Sequence, residues 1–455
     1  MNTSASTGLL TDMYELTMID AALASGHAQR PSVFELFGRR LPAKRRYGVV
    51  AGIARALDAV EKFRFDTPEL DFLRENLSLS HDTLELLGDY RFRGNILGYP
   101  EGECYFPGSP LLTVEASFAE AVLLETVLLS ILNHDCAIAS AASRMTTAAH
   151  GRPCLEMGAR RTHEAAAVAA ARAAVVAGFA GTSVLEAGRS YGLETIGTAA
   201  HSFTLLYDSE EEAFAAQVAR FGPNTTLLVD TYDVERGVER AVQAARDGGG
   251  ELGAVRLDSG DLIAQAFTVR NQLDELGATS TKITVTSDLD EYAIAALGAA
   301  PVDAYGVGTK VVTGSGYPTA ELVYKLVARQ DRDGTWQSVQ KRSHSKSSLG
   351  GRKTAGRVIA ENHAAVELVV SSPDPAPARA YLTSRGARPL QVPLITAGEI
   401  HEEHRDRHAL ARARERHLAS RAELPYPAWR LSEGEPGIPT VHEVLDDHEP
   451  EVPTF

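Results

Sequence analysis

Cysteine is scarce. Only Cys104, Cys136 and Cys154 occur in 455 residues, widely spaced and without a C-x-x-C pair. That excludes a disulfide framework or a zinc knuckle and fits a reducing, cytoplasmic compartment. Positive charge is also in short supply: 45 Lys and Arg against 60 Asp and Glu give a net charge of −15, which opposes nonspecific nucleic-acid binding. Long apolar runs are missing as well. The most apolar stretch, Ala165–Gly181, is Ala-rich and interrupted by Arg172; it is too short to span a bilayer and reads as a core helix, so no membrane partner is expected. The first residues, MNTSASTGLLTDMYEL, carry no basic segment followed by an apolar one, the pattern of a signal peptide. Neither a Rossmann glycine fingerprint nor an internal repeat is present.

What is there is an ordinary globular composition, 44% hydrophobic and 23% charged, long enough for two domains. Thr11–Met18 opens as a helix capped by Thr11 or Asp12. Ser32–Phe37 reads as a strand, and the Gly- and Pro-rich segment Arg91–Glu115 as short antiparallel strands. Three- and four-residue spacing of apolar positions predicts a helix over Pro110–Asn133 that bridges into the second domain. From Gly151 the chain alternates. Strands are predicted near Cys154–Met157, Phe179–Val184, Thr195–Thr198, Thr226–Val229, Ala254–Leu257, Ile283–Thr286 and Ala304–Val307. Helices between most of them, such as Glu164–Ala177 and Val234–Arg246, predict a parallel sheet closed into an irregular TIM-like α/β barrel. After Tyr324 strands return, with a hairpin at Asp333-Gly334, a basic, glycine-rich loop over Lys341–Arg357, a charged surface helix over His401–Ala422 and an acidic tail, Asp446–Phe455. The expected fold is therefore α/β. A barrel at 134–319 is inserted into a smaller, mostly β domain built from both chain ends, 1–133 and 320–455, with a C-terminal helix.

Polar groups collect at the carboxyl ends of the barrel strands, where barrel enzymes keep their chemistry. TIGTAAHSF presents His201 among small residues that leave room for a large group. A lone histidine is more often a satisfied core or surface residue, and its neighbours raise its standing. EMGARR supplies Arg160 and Arg161, suited to carboxylate or phosphate. VDTYD supplies Asp230 and Asp233; RLDSGD supplies Arg256, Asp258, Ser259 and Asp261; TSDLDE supplies Ser287, Asp288 and Asp290, which could equally be helix-capping acids. YGVGT offers Gly306, Gly308 and Thr309 as a phosphate cradle. In a chain this acidic, anionic substrates require basic residues gathered locally, and Arg160-Arg161 and Lys341–Lys353 are such clusters. Acids beside a cradle suit Mg²⁺ and sugar hydroxyls. Tyr14, from spacing alone, is a half-buried amphipathic tyrosine.

In order and spacing, TDMYELTM, EMGARR, GTAAHSF, VDTYD, RLDSGD, SDLDE and GVGTKVVT resemble the nicotinate phosphoribosyltransferase family over most of the chain. The resemblance implies a type II phosphoribosyltransferase fold, a barrel with an open-faced strand domain, in a homodimer with shared active sites. It implies ATP-coupled joining of nicotinate to phosphoribosyl pyrophosphate, the first step of NAD salvage from nicotinate. By the same resemblance His201 is phosphorylated from ATP and Asp230 orients it. Tyr14 stacks on nicotinate from the partner subunit, and Arg160 contacts nicotinate. Arg256, Asp258, Ser287 and Asp288 hold the ribose phosphate and Mg²⁺, and Gly308 and Thr309 the 5′-phosphate. Amide-using relatives carry an acid where Ser183 stands, so a serine favours an acid substrate. The rivals are a nicotinamide- or quinolinate-using transferase, a phosphosugar aldolase or isomerase, for which Lys310 lies badly past the glycine turn, and a non-catalytic binding protein of this fold.

Overall fold

The computed structural model describes residues 5–341 and 349–445; the acidic tail lies outside them. The chain divides into two units, Met1–Ser140 with Thr319–Phe455, and Ala141–Pro318.

In the unit Ala141–Pro318, six parallel strands form one sheet. Their order is Gly181–Thr182, Cys154–Glu156, Ala304–Val307, Lys282–Ser287, Ala254–Leu257, Thr226–Leu228. Leu227, Val255, Leu257, Ile283, Val285, Tyr305 and Val307 are buried, as the β-branched and aromatic runs require of a sheet covered by helices. The predicted strand Thr195–Thr198 is a correction. It shrinks to a single parallel bridge, Thr182 to Thr195, so the sheet is a half-barrel rather than a closed ring. The reason is local: Gly197 and the small residues after it turn the chain away before a ladder can form.

The intervening helices start where their acids and hydroxyls predict. Ser209, Asp233, Asp261 and Asp290 accept backbone N–H bonds at the first turns of Glu210–Phe221, Val234–Asp247, Leu262–Glu275 and Glu291–Ala296. The Ala-rich stretch is the helix Glu164–Val176, largely buried, because alanine lets a helix pack closely on a sheet.

The other unit interleaves the two chain ends. Its seven-stranded antiparallel sheet sets Pro31–Gly38 between Leu322–Gln330 and Leu112–Ser117, with Asn95–Gly98 and Val392–Thr396 beyond. Phe34 stacks on Tyr324 with centroids 5.0 Å apart. A four-stranded sheet of Ala387–Pro389, Lys353–Ala360, His363–Ser371 and Thr440–Val444 completes it. The hairpin at Asp333-Gly334 joins Leu322–Gln330 to Trp336–Ser338.

Three sequence expectations shift here. The helix predicted from Pro110 begins at Phe118, because Leu112–Ser117 is a strand, and it continues past Asn133 as Glu125–Ala148. By length and composition Phe118–Ala148 could cross a membrane, with a mean hydropathy of 1.5 and 61% of that window buried. Two of its charges are paired inside the fold, Asp135 with Arg55 at 2.7 Å and Arg144 with Glu291 at 2.9 Å. The basic loop Lys341–Arg357 ends early, since Lys353–Ala360 is a strand. The helix expected over His401–Ala422 is Ala409–Ala422, preceded by a turn at Glu402–His404.

Candidate active site

Parallel pairing brings the carboxyl ends of the half-barrel strands to one side. There they enclose a cavity of about 450 Å³. Arg160, Arg256, Asp258, Ser287, Asp288, Gly308 and Thr309 all line it, with Arg161, Met157, Thr198 and Thr286 beside them. Nine of the residues singled out from sequence, Arg161 and Gly306 included, are thus gathered by folding alone.

Two guanidinium groups set the electrostatics. Arg256 leaves its strand half-buried; Nη1 donates to the Thr198 hydroxyl, and the buried Nε has no partner. Burial pulls the Arg256 pKa below its usual value. The acids Asp258 and Asp230 oppose that pull, and the charge of Arg160 adds to it. A poorly solvated cation facing a second cation is stabilised by an anion entering between them.

The acids are held rigidly. Asp258 accepts a short hydrogen bond from the Thr286 hydroxyl on the neighbouring strand, and its own backbone N–H donates to Asp230 Oδ2 at 2.8 Å. Ser287 ends its strand at φ 145°, a region costly for any residue with a Cβ and kept where the surroundings enforce it.

Two glycines differ in their reason for being glycine. A Cβ on Gly306 would meet Thr286 Cγ2 at 2.4 Å and Met157 Sδ at 2.7 Å, so packing demands it. On Gly308 a Cβ would meet only the Met157 carbonyl, at 3.5 Å. Gly308 leaves open backbone on the cavity wall beside Thr309.

His201 and Asp230 lie next to this cavity's residues rather than among those lining it. His201 opens the one-turn helix His201–Thr204 directly after Ala200, which does line the wall. Its Nδ1 is 3.0 Å from the Thr231 hydroxyl and its Nε2 is 3.8 Å from Asp230 Oδ1. The Asp230 side chain is 1% exposed, and its Oδ2 also accepts from the Ser259 hydroxyl at 2.9 Å. One buried carboxylate therefore ties the histidine to the RLDSGD turn.

Two predicted residues stand elsewhere. The Ser183 backbone N–H donates to the Glu156 carbonyl, and Ser183 does not line the cavity. Tyr14 belongs to the other unit, exposed on the helix Met13–Ala24. Burial, and then the Glu125 carboxylate that accepts its hydrogen bond, push its phenol well up. Lys353, from the second basic cluster, is buried against Glu35 at 2.6 Å, and Arg352 is paired with Glu115 at 2.9 Å and lies over the Trp336 ring. Their charge is already matched within the fold. Asp233, Asp261 and Asp290 cap helices. Thr198, Thr286 and Thr231 were missed as contributors. Each sits inside a motif that was recognised, but a threonine carries no signal until its partner is known.

Among the described residues no group of three or more His, Cys, Asp or Glu is placed to hold a metal. Asp258 and Asp288 are the carboxylates on the cavity wall. That donor set suits Mg²⁺ arriving on a polyphosphate, since Mg²⁺ is usually held by one or two carboxylates together with substrate oxygens.

Residues 9–133 match the family model of the nicotinate phosphoribosyltransferase N-terminal domain. The chain is 54% identical over 441 residues to nicotinate phosphoribosyltransferase pncB1 of Mycobacterium tuberculosis (strain ATCC 25618 / H37Rv), covering 95% of this chain and 94% of that one. It belongs to the nicotinate phosphoribosyltransferase family. A Bacillus subtilis (strain 168) nicotinate phosphoribosyltransferase is 38% identical over 366 residues, 79% of this chain and 74% of its own. The crystal structure of human nicotinic acid phosphoribosyltransferase superposes with a TM-score of 0.80 at 24% identity, over 95% of this chain and 97% of that one, and shares its fold. The half-barrel, with strand-end arginines and acids around one cavity, is this chain's version of the nicotinate phosphoribosyltransferase fold.

Proposed function

We propose that this chain transfers the phosphoribosyl group of phosphoribosyl pyrophosphate to nicotinate, coupled to ATP hydrolysis through a phosphohistidine at His201. The reaction would be the first step of NAD salvage from nicotinate. The observation that carries the reading is one buried carboxylate, Asp230, bonded to the turn that supplies Asp258 and facing His201. A phosphorylatable group and an anion-binding wall are thereby parts of one constellation.

In the transfer, the nicotinate ring nitrogen forms a bond to ribose C1 as the C1–O bond breaks and pyrophosphate leaves with the electron pair. Arg256 and Arg160 stabilise negative charge at the two ends of the site, the departing polyanion and the nicotinate carboxylate respectively. The Gly308–Thr309 backbone holds the 5′-phosphate, and Ser287 and Asp288 the ribose side. Asp258 and Asp288 would hold Mg²⁺, which when bound neutralises charge on the pyrophosphate. Ser183 in place of an acid removes a group that would repel nicotinate. A homodimer with Tyr14 reaching the partner's nicotinate completes the proposal. Leu9, Leu10, Met13 and Met18, exposed around Tyr14, supply the apolar surface such an interface needs.

The test is a competition assay with phosphoribosyl pyrophosphate, Mg²⁺ and equal nicotinate, nicotinamide and quinolinate, with and without ATP, read by mass spectrometry. Nicotinate mononucleotide that rises with ATP is expected. The amide product would overturn the reading of position 183, and no nucleotide would leave a non-catalytic binding protein. His201→Ala should abolish the ATP stimulation; if it persists, His201 is not the coupling residue.

A further inference from the structure

We propose that Thr231 is a positioning residue that holds His201 by its Nδ1 as the phosphoryl-accepting nitrogen, in the tautomer that the buried Asp230 imposes, with the proton on Nε2 and the lone pair on Nδ1. The inference rests on His201 being the phosphoryl acceptor and goes beyond it by naming the group that presents the accepting nitrogen.

The argument starts from Asp230. Its Oδ2 already accepts two hydrogen bonds, from the Asp258 N–H at 2.8 Å and the Ser259 hydroxyl at 2.9 Å. Its Oδ1 is buried and has no hydrogen-bond partner. A carboxylate oxygen only accepts, so whatever faces it must bring a proton. The group facing it is His201 Nε2 at 3.8 Å, within reach of a small ring movement. The opposite tautomer would point a lone pair at a buried carboxylate and leave that oxygen unsatisfied.

A neutral imidazole with its proton on Nε2 has an acceptor at Nδ1. There the Thr231 hydroxyl sits 3.0 Å away, and a hydroxyl can donate to it. A hydroxyl can also accept, so Asp230 sets the tautomer and Thr231 holds the ring in it from the other side. Both constraints come from adjacent residues of VDTYD, immediately after the strand Thr226–Leu228, so a single turn grips the ring at both nitrogens.

The consequence is chemical. The Nδ1 lone pair forms the N–P bond to the γ-phosphorus of ATP, the bridging P–O bond breaks, and ADP leaves with the electron pair. The Nε2 proton stays on the ring, whose new positive charge faces Asp230. The Thr231 hydroxyl, displaced from the lone pair, can donate to a phosphoryl oxygen.

Two measurements on the full-length protein test this. In ¹⁵N-histidine NMR, with His201→Gln identifying the resonance, the wild type should show the Nε2–H tautomer. Thr231→Val, equal in shape but without the hydroxyl, should keep the Nε2–H tautomer but shift the Nδ1 signal, which loses its hydrogen bond, and Thr231→Ser should keep the wild-type shift. With γ-³²P ATP, Thr231→Val should slow formation of acid-labile phosphoenzyme about tenfold or more, and Thr231→Ser should recover most of the rate. A wild-type Nδ1–H tautomer, or an unchanged phosphorylation rate in Thr231→Val, overturns the proposal. If the wild type takes no phosphate from ATP, the phosphohistidine reading falls, and the Nδ1 shift of Thr231→Val by itself upholds or overturns the hold of Thr231 on the ring.

Discussion

Arg160 and Arg256 face the same cavity from different surroundings. Arg256 is half-buried, bonded to Thr198, and lies in the field of Asp258 and Asp230, a poorly solvated cation suited to a polyanion. Arg160 sits on the one-turn helix Ala159–Arg161, whose approach to the wall is fixed by Gly158, where a Cβ would meet Val312 Cγ1 at 2.3 Å. Arg160→Ala is expected to raise the KM for nicotinate about tenfold or more, with a smaller effect on phosphoribosyl pyrophosphate; Arg256→Ala should do the reverse, each losing a charged hydrogen bond. Steady-state kinetics with each substrate varied in turn checks both. Equal losses for the two substrates in Arg160→Ala would mean that it serves the phosphates instead.

At the scale of the element, each acidic motif divides its work between two carboxylates. The first of each pair, Asp230, Asp258 and Asp288, belongs to the site network or the cavity wall. The second, Asp233, Asp261 and Asp290, caps the following helix. The motifs were plain in the sequence. The division was not, because a capping acid and a binding acid are the same residue type two or three positions apart. Asp261→Ala should cost about 1 kcal/mol, the usual worth of an N-cap, with little change in kcat. Asp258→Asn, which keeps the hydrogen bond from Thr286, should leave thermal stability close to wild type and lower kcat/KM about a hundredfold or more. Calorimetry with kinetics on both variants decides. A large activity loss in Asp261→Ala would show that the cap also binds.

For the whole molecule, the unit made from both chain ends is tied by a buried charge network. Arg357, fully buried on Lys353–Ala360, reaches Glu103 at 2.8 Å and Glu367 at 2.9 Å; Arg388 reaches Glu103 at 3.0 Å and Glu423 at 2.7 Å. Burial by itself would raise Glu103, but Arg357 and Arg388 outweigh it and hold the carboxyl below its usual range. Stability from a lowered carboxyl is present above the unfolded value, 4.5, and is lost as pH falls through the folded one. Arg357→Met leaves buried carboxylates without that partner and should cost about 3–5 kcal/mol. It should also weaken the loss of stability seen on acidification below the unfolded value. Denaturant titrations of both proteins across pH 3–7 measure this, and an unchanged midpoint at neutral pH would sink it.

The sequence by itself determined the strand–helix alternation, the starts of the helices between the parallel strands and the order of the site motifs. Periodicity, capping and turn chemistry act between residues close along the chain. Only the tertiary structure decided that Thr195–Thr198 is a bridge and not a strand, that Lys353 is sealed against Glu35 instead of meeting an anion, and that Asp230 joins His201 to the Asp258 turn. These outcomes depend on partners far apart in sequence, whose distance and orientation are fixed when parallel register brings the strand ends together.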